Sequence, residues 1–522
     1  MTPAALLFFS FFLAPALVLE DEKAGADVAS ALREFERYYS DKNEHVRKAA
    51  VMDLSSLDHA AAVEPLLRAL GDDSLVVREE AERALEKIRS NGALDLLVER
   101  VKKPKSPEQA VSILESFRVT RPESAYEPVL AAAEGAASFD LKLAAVDLLP
   151  LLASREGRSE AALGRLLDDK EPLVRLAAID GLGKLRAESL APACLEKLAP
   201  RIESDWRVRA AAVAALRRLR VKDAIPALID ALEREDGRLR DDCQQALVDL
   251  TGDAVPADDA AEWREWWGRA GADFKVPTLA EVEERRKKQK AAMSPYAPPA
   301  KKGYAPFVGI ETRSKRILFI IDVSSSMSER LVLSTKDPAR LAAFIERYGR
   351  HDTKIELARE ELIETIAALE PHVKFNIATF HSTVETWKPE LVAATGGNKS
   401  AAIKFLADMT PEKIDAAATA TRNSGRTNTF DALNVAFNLA KSPNQKPTKN
   451  HKVESDTVFF LSDGMATAGR IQDPGELIRY FTTINARAKI VFHTIAFGHG
   501  NESLMQPIAE TSGGQYVVIA LE

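Results

Sequence analysis

The sequence predicts two architectures in one chain: an all-α repeat solenoid, then an α/β domain with a doubly wound sheet. Three observations carry that expectation. A phrase of arginine, small residue and leucine recurs through the first half. Apolar strand-like runs alternate with amphipathic helices from residue 315 to the end. A basic, Pro-rich stretch separates the two.

Composition limits the alternatives. A chain of 522 residues fits about three domains at roughly 150 residues each. With 46% hydrophobic and 29% charged residues, a packed core is expected and global disorder is not. Seventy-one basic residues against 78 acidic ones leave a net charge of −7. That argues against nucleic acid as a partner, since such binding needs clustered Lys and Arg. Cys194 and Cys243 are the only cysteines, which excludes a disulfide framework and a Cys-based zinc site.

The chain starts with 16 uncharged residues, Ala4 to Leu19, followed by an acidic run. A membrane span needs about 20 residues. The pattern fits a signal peptide over residues 1–19, with Ala14-Pro15-Ala16 as a small-x-small cleavage site. No Lys or Arg precedes the apolar run, so an uncleaved N-terminal anchor is the alternative. Either way the chain is expected to be exported: periplasmic, cell-surface or secreted, with no membrane span once the signal is removed.

Residues 27–270 form the expected solenoid. The copies "VRKAAVMDL", "VREEAERAL", "VRLAAIDGL", "VRAAAVAAL" and "LRDDCQQAL" place Arg47, Arg78, Arg175, Arg209 and Arg240 in register. Weaker copies put Pro107 and Lys142 in the arginine position, so successive spacings are 31, 29, 35, 33, 34 and 31 residues. That period means stacked two-helix units, each unable to bury its apolar face alone. The small residue and the leucine share one helix face, which lets neighbouring helices approach closely. Acidic pairs ahead of several copies are expected to cap helix N-termini. These phrases resemble HEAT repeats of the short bacterial kind. Trp263, Trp266 and Trp267 share one face of a terminal helix and are expected to close the core. Cys243 fills the small-residue slot, and both thiols are expected to be buried.

Residues 271–314 are expected to link the domains. "LAEVEERRKKQKAAM" has helix propensity, and "SPYAPPAKKGYAP" should be extended. From 273 to 316, eleven basic residues against five acidic ones give +6, read as a solvated spacer.

Residues 315–522 carry the chemistry. Strands are expected at 317–323, 373–380, 383–389, 456–464, 489–498 and 514–519, with amphipathic helices between most of them. In such sheets, sites form at the carboxyl ends of strands. Asp322, Ser324 and Ser326 follow the first strand, Thr427 opens a helix, and Asp463 ends a central strand. These side chains are carboxylates and hydroxyls, with no Cys and no His. Hard oxygen donors suit Mg²⁺, Mn²⁺ or Ca²⁺ rather than zinc, and the small ligand number favours Mg²⁺.

"DVSSSM", the threonine after "GR", and "SDG", in this order, resemble the von Willebrand factor A domain with its metal-ion-dependent adhesion site. The resemblance implies a Rossmann-like α/β fold. It also implies that Ser324 and Ser326 bind the metal directly, and that Thr427, Asp322 and Asp463 bind directly or through water. A cation so held stays electrophilic enough to accept an acidic side chain from a partner protein. The family usually has two glycines before the threonine, and Arg426 replaces the second. Its guanidinium either attracts the partner's carboxylate or faces solvent. The segment 328–353 is longer than usual, and is either a lid, a specificity surface or a surface insertion. Ser325 is expected to be a spectator, "ATGG" at 394–397 a decoy, and His381 and His499 structural.

The expected function is therefore an exported interaction protein, with a metal-gated α/β domain and the solenoid as a second binding scaffold. The alternative is an adaptor subunit for an ATPase, in a chaperone or chelatase-like complex. An enzyme is not expected, because neither a Gly-rich phosphate loop nor a positioned base is evident.

Overall fold

The computed structural model describes residues 27–152, 156–252, 259–292, 305–331, 345–346, 351–414, 425–438, 452–498 and 501–519. The apolar start, His499 and most of the 328–353 segment lie outside the described residues. By its internal contacts the chain divides into two units, Met1–Leu185 and Arg186–Glu522.

Among its described residues, the first unit is built from helices joined by short turns. Its repeat helices include Glu44–Leu54, Leu75–Lys87, Pro107–Thr120, Phe139–Leu148 and Pro172–Leu185. The expected inward positions are buried in every copy: Ala50 and Leu54, Ala81 and Leu85, Ala110 and Leu114, Ala145 and Leu149, Ala178 and Leu182. The recurrent arginine turns out to be a backbone clamp. Arg47 Nη1 donates to the carbonyls of Asp41 and Lys42 at 3.0 and 3.2 Å, and Arg78 Nη1 to those of Asp72 and Asp73 at 2.6 and 3.0 Å. Arg175 repeats the pattern on Asp169 and Lys170 at 2.7 and 3.2 Å. Ahead of Leu75–Lys87 and Pro172–Leu185 an acid closes that turn and reaches back to the preceding repeat. Asp72 accepts from Ser74 N at 2.8 Å and from the Arg47 guanidinium at 2.8 and 2.9 Å. Asp169 does the same with Glu171 N and Lys142.

The second unit begins with the same repeat. Arg209 clamps the carbonyls of Glu203 and Ser204 on the helix Trp206–Leu219, and the helices Ala224–Arg234, Gly237–Thr251 and Ala260–Ala270 follow. Trp263 is fully buried and donates its indole N–H to Gln244 at 3.1 Å, while Trp266 meets it edge-on at 5.8 Å. Cys194 and Cys243 are buried free thiols, and burial pushes the Cys194 thiol up to about 11. The charged helix is present at Leu279–Ala292.

The sheet domain starts earlier than the first apolar strand. A hairpin of β1 (Ala305–Phe307) and β2 (Ile310–Thr312) precedes β3 (Arg316–Asp322). Phe307 is fully buried against Phe319 and Phe459, with ring centroids 5.5 and 5.4 Å apart. The remaining strands are β4 (Lys374–Phe380), β5 (Val384–Thr386), β6 (Val392–Ala393), β7 (Thr457–Ser462), β8 (Val491–Phe497) and β9 (Tyr516–Ile519). Their order is β5-β4-β3-β7-β8-β9, with β6 also on β4. The run from β4 to β9 is parallel, and β5 and β6 are antiparallel to β4.

Both faces are covered, which explains why the strands are apolar without alternation. Ile317, Phe319 and Ile321 face the core under the helices Lys354–Ala368 and Gly396–Ala407. Leu318 and Ile320 face the opposite core, under Thr429–Ala436, Pro474–Ala488 and Glu502–Ser512. From β3 the chain moves to β4 on one side. It returns as β7 on the other side of β3 and continues outward. The loops after β3 and β7 therefore diverge, leaving a crevice at their carboxyl ends where open α/β sheets form sites.

At the amino end of the strands, the helix Gly237–Thr251 docks on the sheet. Arg238 donates to the carbonyls of Asp456, at 3.2 Å, and Lys489. Asp241 accepts from Arg313 N at 3.0 Å, and Ser314 Oγ donates to Asp456 Oδ1 at 2.5 Å. Among the described residues, no helix is long and apolar enough to cross a membrane.

Candidate metal centre

The loop after β3 is held from three sides. Asp322 Oδ1 accepts from Ser324 N at 2.8 Å, closing a tight turn, and Val323 N continues the pairing to β4 through Phe380 O at 2.8 Å. Met327 is fully buried in the core and pins the loop from below, which gives "SSSM" a physical reason. Ser324 is fully buried, and its Oγ lies 3.2 Å from Ser326 Oγ.

The loop after β7 meets this one. Ser326 Oγ donates to Asp463 Oδ1 at 2.8 Å, and Ser462 Oγ to Asp322 Oδ2 at 2.6 Å. Thr427 enters from a third segment and is 4% exposed. Its N–H donates to Thr467 Oγ1 at 2.9 Å, and its carbonyl accepts from Thr467 N and Ala468 N at 3.0 and 3.2 Å. The next residue, Asn428, donates its N–H to His381 O at 2.7 Å. A Cβ on Gly464 would sit 3.6 Å from Thr427 Oγ1, and one on Gly469, at φ +96°, would collide with Asn428 Oδ1 at 2.2 Å. Gly469 is thus required for the β7 loop to clasp Thr427.

Four of the five expected residues form one hydrogen-bonded cluster, and Thr427 packs beside Gly464 at its edge. Arg426 is exposed next to Thr427. Ser325 lies against Gly425, where a Cβ would stand 3.2 Å from its Oγ. Thr395 caps the helix Gly396–Ala407, accepting from Asn398 N at 3.3 Å, so the 394–397 stretch is a helix start. His381 turns its Nδ1 onto Ser382 N at 2.7 Å.

Electrostatics fit a cation. Asp322 is fully buried, and burial followed by the Asp463 charge pushes its carboxyl up to about 7, against the hydrogen bonds from Ser462 and Ser324. Two carboxylates and neutral hydroxyls converge there as hard oxygen donors, the set that Mg²⁺, Mn²⁺ and Ca²⁺ prefer. Among the described residues, no group of three or more His, Cys, Asp or Glu could hold a metal; the donors beside the two carboxylates here are hydroxyls.

Two contributors escape the motif reading. Ser462 orients Asp322, and its signal is a lone hydroxyl at the end of the apolar run "TVFFLS". Lys354 Nζ donates to Asp463 Oδ2 and Glu329 Oε2, both at 2.8 Å. Burial works against this ammonium and the two carboxylates overcome it, raising its pKa above the ordinary lysine value. Its signal is a lysine at a helix start, where acids are favoured.

The comparisons with known proteins agree with this architecture. Residues 32–115 match the model for HEAT repeats, 208–234 the PBS lyase HEAT-like repeat, and 348–518 the von Willebrand factor type A domain. The chain carries a von Willebrand factor type A domain preceded by HEAT repeats. The last match begins at residue 348, inside the 328–353 segment, and omits β3, whose place in the centre of the sheet comes from its pairing with β4 and β7. Inter-alpha-trypsin inhibitor heavy chain H4 of Homo sapiens is 29% identical over 161 residues, 31% of this chain and 13% of that protein. Its Bos taurus counterpart is 29% identical over 160 residues, 31% and 14% respectively. The chain thus spans about an eighth of these relatives' length. A solved von Willebrand factor type A structure from Catenulispora acidiphila superposes with a TM-score of 0.26 at 17% identity, covering 40% of this chain and 39% of that one.

Proposed function

We propose that this is an exported protein–protein interaction protein. Its α/β domain holds a divalent ion, Mg²⁺ before Mn²⁺ or Ca²⁺, through Asp322, Ser324, Ser326, Thr427 and Asp463. The observation that best supports this reading is the Ser326–Asp463 hydrogen bond at 2.8 Å. It brings two loops 137 residues apart into one oxygen cluster at the sheet's crevice. The bound ion supplies an electrophilic position that takes a carboxylate from a partner protein. Asp322 and Asp463 match its double charge, and the hydroxyls add donors without further negative charge. Ser462 holds Asp322 in place. Arg426, exposed beside Thr427, draws the partner's acidic side chain. The helical repeats serve as a second binding scaffold. The role is recognition, not turnover.

Capture of a partner from cell-envelope extract tests this. Wild type with Mg²⁺ retains the partner, and chelator or the Ser324→Ala/Ser326→Ala pair releases it. Capture indifferent to both contradicts the proposal.

A further inference from the structure

Lys354 occupies the first position of a 15-residue helix. The helix dipole disfavours a cation there, and lysine is almost never buried without a partner. Yet Lys354 is only 8% exposed. Its ammonium binds Asp463 Oδ2 at 2.8 Å, Glu329 Oε2 at 2.8 Å and the Ser326 carbonyl at 3.2 Å. The two acids differ sharply in setting, since the Asp463 side chain is 1% exposed and that of Glu329 is 66% exposed. Glu329 also stands at the stem of the 328–353 segment, beside the Arg330–Thr353 bridge, and its carbonyl accepts from Lys354 N.

Charge arithmetic gives these contacts a meaning. Asp322 and Asp463 carry two negative charges that a divalent ion cancels. Lys354 and Glu329 cancel each other. Without the ion, the only cation the described hydrogen bonds bring to Asp463 is the Lys354 ammonium. We propose that Lys354 is a tethered cation that competes with the divalent ion for Asp463 and is left to Glu329 when the ion binds. This rests on the metal reading above. Lys354 thereby sets the ion affinity of the site and couples its occupancy to the stem of the 328–353 segment.

The test uses the full chain stripped with chelator, titrated calorimetrically with Mg²⁺ and with Mn²⁺, and melted in chelator. Lys354→Met keeps the aliphatic stem and removes the charge. It should bind the ion about tenfold more tightly, the scale of neighbouring-group effects on metal sites. It should also melt below wild type in chelator, with Mg²⁺ closing the gap. Glu329→Gln removes the second partner of the ammonium and should weaken ion binding. Because Glu329 is largely exposed, that variant carries the test if Lys354→Met fails to fold. Wild-type ion binding that is unchanged or weaker in Lys354→Met, or unchanged in Glu329→Gln, overturns this inference and leaves the metal reading standing. Absence of ion binding in wild type and variants alike overturns both.

Discussion

Ser462 Oγ donates to Asp322 Oδ2 at 2.6 Å, tying the carboxyl ends of the adjacent parallel strands β3 and β7. Both residues are fully buried. Ser462→Ala leaves a buried carboxylate oxygen without its donor, which costs about 1–3 kcal/mol. Outer contacts of this kind change metal affinity by roughly 10–100-fold. Urea unfolding in chelator and Mg²⁺ calorimetry should register both losses. A variant equal to wild type in both would remove Ser462 from the centre.

The three consecutive serines should separate by function. Ser324 and Ser326 share the oxygen cluster, whereas Ser325 packs on Gly425. Added Mg²⁺ should raise the melting temperature of wild type and of Ser325→Ala equally. The rise should vanish in Ser324→Ala and shrink in Ser326→Ala. An equal shift in all three variants contradicts the assignment.

The last repeat helix should stabilise the sheet from the end opposite the site. Arg238 is about one-tenth exposed and donates to the carbonyls of Asp456 and Lys489. Hydrogen bonds from a charged donor contribute about 1.5–3 kcal/mol. Arg238→Ala should lower unfolding free energy on that scale and leave Mg²⁺ affinity unchanged. A change in affinity without a change in stability would contradict this division of labour.

His493 makes a pH prediction with a definite sign. It stacks on Phe459 at 5.0 Å and its Nδ1 accepts from Gln515 N at 3.1 Å. Burial, with Arg238 adding to it, holds its pKa down to about 3. The unfolded imidazole titrates near about 6.5, so below that pH the unfolded chain takes up a proton that the folded chain refuses. The contribution of His493 is therefore present above about pH 6.5 and lost as pH falls toward about 3. His493→Asn keeps an acceptor for Gln515 and should flatten the melting-temperature profile between about pH 6.5 and 4.5. An unchanged acid slope would rule His493 out as its source.

The repeat and the sheet were legible because both rest on periodicity. The register of Arg47, Arg78, Arg175 and Arg209 marked the helices, and their apolar partners are buried as expected. What the arginine does was not legible, since a clamp on the carbonyls five and six residues back depends on the turn's geometry. The hairpin of β1 and β2 was hidden for a related reason. "APFVGIET" is short and follows a Pro-rich stretch, and only packing on Phe319 and Phe459 shows that Phe307 belongs to the core. The five oxygen-bearing residues stood out by type and position. Lys354 did not, because its partner Asp463 is 109 residues away and charge pairs across such a distance leave no local pattern.

The oxygen cluster at the ends of β3 and β7 should hold a divalent ion. Mn²⁺ counted by electron paramagnetic resonance after equilibrium dialysis tests it most directly, because Mn²⁺ reports its own binding without a partner. Wild type should retain a stoichiometric ion that Mg²⁺ displaces, and the Ser324→Ala/Ser326→Ala variant should lose it. Undiminished Mn²⁺ in that variant, or none in wild type, would contradict the account.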